Sequence, residues 1–144
     1  MALAATVLRV SLSRFTSRVS GGSAVSVRRQ MPLTALNEND VALIGRSLRA
    51  LAAGDIIAEF EFGARIGVEM ADFRKMLTRW PAWDDADDRS AECLAINNTL
   101  NDLLHGVGLS ERQCIALLGV GRNELLRVYR AWADSRGWSA TGAR

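Results

Sequence analysis

From residue 36 onward, apolar side chains return every three or four positions, and that spacing confines the chain to helices. Val41, Ile44, Leu48 and Leu51 mark one stripe, Cys93, Ile96, Leu100 and Leu103 a second, and Leu125, Val128, Tyr129 and Trp132 a third. Residues three and four apart share one side of an α-helix, so each stripe is a face that must be buried against another element. The punctuation agrees with the spacing. Asn37 stands where an N-cap is needed, Asp40 favours the positive helix end, and Leu36 and Val41 have the separation of a hydrophobic staple. Ser110 and Gln113 have the spacing of a capping box, with Leu109 and Cys114 as its staple. Gly54, Gly106 and Gly137 are placed as helix stops, and Pro81 closes a helix over 69–79. Asp55–Gly67 is mixed: Ala58 to Phe62 alternates like a strand, but Ile57, Phe60 and Ala64 favour a short helix. The expectation is an all-α, compact bundle of five to six helices, forming a single domain over 31–144.

The first thirty residues differ in kind. They hold Arg9, Arg14, Arg18, Arg28 and Arg29, no acid, and Gly21-Gly22. Nothing there can build a core, so the segment reads as a disordered, dispensable arm before Met31-Pro32. Two alternatives stay open: an amphipathic mitochondrial transit peptide with Leu3, Val7 and Val10 on one side, and sequence read from a start codon placed too early. The arm also distorts the overall charge of +2: residues 1–30 carry +5, 31–108 carry −6 and 109–144 carry +3. Without the arm the chain is mildly acidic, which removes any general electrostatic case for nucleic acid. No apolar run approaches the ~18 residues of a membrane span. Cys93 and Cys114 sit in apolar helical stripes and read as buried free thiols.

Sliding the chain by 52 residues superposes its halves. Val41, Ile44, Leu48, Leu51 and Gly54 fall on Cys93, Ile96, Leu100, Leu103 and Gly106. Ile66-Gly67-Val68 falls on Leu118-Gly119-Val120, Asp72 on Glu124, Lys75 on Arg127 and Trp80 on Trp132. If this is a duplication, each half is a three-helix unit, 37–81 and 89–137, whose last two helices meet at a Gly-Val turn.

That turn also fits a DNA-reading helix-turn-helix. Cys114, Leu118, Gly119, Val120, Leu125 and Val128 have the spacing such a motif requires, while Ile115 is bulky where the two helices should approach closely. The second helix then presents Arg122, Asn123, Arg127 and Arg130, the right chemistry for guanine and adenine edges. Phe62, Gly63, Ile66, Gly67, Val68, Phe73 and Met76 fit the same template in the first half, but Glu69 and Asp72 on its second helix would repel phosphates. A structural hairpin is the preferred reading, because the broad basic footprint of a DNA-binding surface is missing.

Little points to catalysis. His105 is the only histidine and precedes Gly106, where the helix dipole and the last carbonyls suit it. One His and two distant Cys make neither a zinc site nor a nucleophilic pair, so no catalytic residue, metal or cofactor is expected. Asp84, Asp85, Asp87 and Asp88 lack the spacing of a calcium loop and read as carboxylates capping the next helix, which extends to His105. Asn97, Asn98 and Asn101 are unusual mid-helix. They read as a hydrogen-bond network pinning a neighbouring loop, the one around Trp80–Trp83, or as a polar patch in a partner-binding groove. Trp80, Trp83, Trp132 and Trp138 are contact candidates wherever exposed, with Trp80 and Trp132 expected in the core.

Trp80-Pro81, the acidic run, Ala95-Ile96-Asn97-Asn98, Leu100-Asn101 and Leu103-Leu104-His105-Gly106 resemble a group of small bacterial proteins with no established activity. The resemblance spans roughly residues 59–132. It implies a bacterial, cytoplasmic setting and transfers no mechanism. Function is therefore expected to be non-enzymatic: a protein-binding or regulatory helical module whose partner is another protein or a second copy. A DNA-binding regulator using 109–135 is the alternative.

Overall fold

Helix α1 spans Glu38–Ala52, α2 Glu59–Ile66, α3 Met70–Leu77, α4 Ala91–Asn101, α5 Glu111–Leu118 and α6 Arg122–Ser135, in a computed structural model that describes residues 32–138. A 3-10 turn, Pro32–Ala35, precedes α1. The described residues contain helices and no strand, and none of those helices is long and apolar enough to cross a membrane. The arm at 1–30 lies outside the described residues.

The helix ends follow local chemistry. Asn37 Oδ1 accepts the Asp40 N–H at 2.8 Å and opens α1. Ser110 and Gln113 close a reciprocal capping box on α5, with both hydrogen bonds formed. The strand-like alternation before Gly63 has no consequence, because Phe62 and Ile66, one turn apart, both enter the core. Gly67 and Gly119 end α2 and α5 with φ of 83° and 75°. A side chain would be strained in that left-handed conformation, so these turns call for glycine.

Two expectations at helix ends are corrected. Ser90, and none of the four aspartates, caps α4, through its Oγ and the Cys93 N–H at 3.1 Å. Helix α4 also leaves α-geometry at Asn101 and finishes as a π-turn over Asp102–Gly106. There the Val107 N–H reaches back to the Asp102 carbonyl, and Asp102 is buried with its Oδ1 accepting from Arg65 Nη2 at 2.7 Å.

One apolar cluster runs through the described residues and joins all six helices. Ile44, Leu48 and Leu51 of α1 are fully buried, as are Ile96, Leu100 and Leu103 in and just after α4, and α1 and α4 pack on each other. Around that pair, α1 packs on α5 as α4 packs on α2. Each hairpin, α2–α3 and α5–α6, has eight residues in its first helix and three in its turn. Their starts, Glu59 with Glu111 and Met70 with Arg122, are separated by the same 52 positions as the sequence matches.

Candidate binding surfaces

The asparagines of α4 form a relay. Tyr129 Oη of α6 donates to Asn97 Oδ1 at 2.7 Å, Asn97 Nδ2 donates to Asn98 Oδ1 at 3.1 Å, and Asn98 Nδ2 donates to the Ile66 carbonyl at 2.8 Å. Burial pushes the Tyr129 phenol above its ordinary pKa, so it stays a donor. The pinned element is the α2–α3 turn, not Trp80–Trp83 as the sequence suggested. Trp83 is held separately, its Nε1 donating to the Met76 carbonyl at 2.9 Å. Asn101 is outside the relay and exposed, as is His105. The relay has a counterpart 52 positions earlier: Arg46 Nε donates to the Leu118 carbonyl at 3.0 Å. Each of the two central helices thus satisfies the last carbonyl of the opposite hairpin's first helix, a group the helix cannot satisfy itself.

Two of the four polar residues proposed for base reading on α6 are engaged internally. Arg122 donates through Nη2 to the Leu104 carbonyl at 2.9 Å and through Nη1 to the Leu109 carbonyl. Arg127 Nη2 lies 2.6 Å from Asp40 Oδ1 and 2.7 Å from Glu124 Oε1. The Arg127 hydrogen bond holds the Glu124 carboxyl below its usual range, while Glu124 and Asp40 raise the Arg127 guanidinium. Asn123 and Arg130 are exposed and have no hydrogen bond among the described residues. They border a depression of about 420 Å³ with Leu126 and Asp134. Ile115 points outward, 52% exposed, so its bulk does not separate the hairpin helices.

The acidic run builds a site that sequence spacing did not reveal. Asp85 is fully buried, its Oδ2 accepting Trp132 Nε1–H at 2.8 Å and its Oδ1 the Leu33 N–H at 3.4 Å. Arg136 lies between Trp132 and Trp138, its guanidinium carbon 5.0 Å and 4.9 Å from the ring centroids. It donates to the Asp85 carbonyl and to Asp88. Asp84 and Asp87 instead close local turns, accepting the Ala86 and Arg89 N–H groups. This constellation is an internal brace for α6. The thiols are equally internal: burial pushes Cys93 up to about 11 and raises Cys114.

A groove remains that the brace and the relay do not use. It runs along the outer side of α1, encloses about 500 Å³, and has Leu36, Val41, Ala42, Trp80 and Pro81 as its apolar walls. Glu38 stands at one end, and Arg46 and Arg49 toward the other. Among the apolar walls, Trp80 is half-buried. Its indole lies against Gly45, where an added Cβ would be 2.4 Å from Nε1, and edge-on to Trp83 at 5.0 Å. Among the described residues no group of three or more His, Cys, Asp or Glu could hold a metal ion. Comparison with protein-family models, curated proteins and solved structures returns no match.

Proposed function

We propose that this chain is a non-enzymatic protein-binding module of the bacterial cytoplasm, built from two copies of one three-helix unit and contacting its partner through the α1–Trp80 groove. The groove carries the reading. It is a largely apolar concavity lined by an indole packed on Gly45 and Trp83, an aromatic anchor of the kind protein contacts use, and its polar rim is not consumed by internal bonds apart from Arg46 Nε. The duplicated origin is supported by the coincident helix starts and by the paired Asn98 and Arg46 contacts. Charge favours protein over nucleic acid: residues 32–138 hold 12 Lys and Arg against 16 Asp and Glu.

The test is affinity capture from the native host with the full chain as bait, followed by identification of the partner and titration against purified bait. Ala42→Glu places a charge in the groove at an exposed helical position and is expected to weaken that partner at least tenfold with the fold intact by circular dichroism. Undiminished binding would remove the groove from this role.

The hairpin geometry, a three-residue turn opened by a left-handed glycine, favours one second reading: a DNA-binding regulator contacting bases through Asn123 and Arg130. Fluorescence anisotropy with duplex DNA decides it. Salt-dependent binding weakened by Arg130→Ala supports the regulator, and no binding at low salt eliminates it.

A further inference from the structure

Resting on the protein-binding reading, we infer that the occupant of the α1–Trp80 groove is an amphipathic segment of another protein with an apolar centre and an acidic end. Glu38 and Arg49 are eleven residues apart on one helix, a rise of about 16 Å. The groove therefore accommodates about three helical turns of a partner, or about five extended residues. Val41 and Ala42, between these charged residues along α1, give its centre apolar walls.

The rim sets the charge of the occupant. Arg46 is tethered by its Nε to the Leu118 carbonyl, which fixes the guanidinium while its terminal amines have no hydrogen bond among the described residues. A guanidinium held in place loses less freedom on meeting a carboxylate, so less of the interaction is spent on ordering it. Arg49, one turn along, is exposed and likewise has no partner among the described residues. Together they make one end of the groove cationic. Glu38 at the opposite end disfavours a second acid there and selects one orientation. The same charges argue against residues 1–30 of this chain as the occupant, because that segment carries five arginines and no acid.

The experiment is selection of random twelve-residue displayed peptides on the full chain, followed by anisotropy of the enriched peptides, labelled, with wild-type protein, Ala42→Glu and Arg49→Glu. Circular dichroism confirms that both variants are folded. Enriched sequences should combine aromatic or aliphatic residues with Asp or Glu at one end. Ala42→Glu should weaken them at least tenfold, and selection on Arg49→Glu should lose the acidic bias. Peptides that bind without acidic bias, or that ignore both variants, overturn the inference while leaving a protein-binding function in place. Absence of any enriched peptide counts against both.

Discussion

Asp85 and Arg136 lie 51 positions apart and meet within an indole-lined interior. A buried carboxylate has to be matched by donors, and Asp85 finds them in Trp132, Leu33 and Arg136. Four aspartates close together in sequence look interchangeable, because nothing local tells which one the chain folds inward; the deciding partners, Trp132 and Arg136, lie on the last helix and at its end. Replacing Asp85 with Ala leaves the Arg136 side chain, itself 1% exposed, without its buried counter-charge. The expected loss is about 3–5 kcal/mol in urea denaturation. Asp84→Ala and Asp87→Ala should each cost about 1 kcal/mol or less, since their acceptor bonds are exposed. Equal losses across the series would contradict a special role for Asp85.

At the level of helices, what was legible is what is written locally. Stripes at three and four, Asn37, the Ser110–Gln113 box and the two Gly-Val turns specify the elements with few errors, because each signal acts within one or two turns. The π-turn at Asp102–Gly106 was not legible: its geometry accompanies an ion pair with Arg65, 37 positions away. The same limit explains the asparagines. Their number announced a network, but only the packing of α4 on α2 identifies Ile66 as its terminus. Asn98→Ala leaves that carbonyl without its donor, and the expected cost is about 1–2 kcal/mol. Asn101→Ala, at an exposed position, should be neutral or slightly stabilising by helix propensity. Chemical denaturation of the two variants side by side separates a brace from a surface patch. On α6 the polar residues were legible as a set, but their division into engaged and exposed was not, since Leu104, Leu109 and Asp40 lie on other elements.

Across the whole molecule, the central α1–α4 pair and the shared apolar cluster predict one cooperative transition. Its pH dependence follows from groups kept neutral by burial. Cys93 rises from 9.0 to about 11, and Tyr129 also lies above its ordinary value. A raised folded-state pKa means that the unfolded chain loses its proton first. The resulting stability is fully present below pH 9 and is lost as pH rises through about 11, with Cys93 contributing on the order of 2 kcal/mol. Urea midpoints measured from pH 8 to 11 should therefore fall, and the fall should be shallower in Cys93→Ala. A flat profile would show that the thiol gains nothing from its surroundings.

The exchange of contacts between Asn98 and Ile66, and between Arg46 and Leu118, also has a consequence for the order of synthesis. During translation, α1 to α3 are synthesised before Asn98 has been added to the chain. Until α4 follows, the Ile66 carbonyl lacks its native side-chain donor, so the bonding of the early half is completed only by the later one.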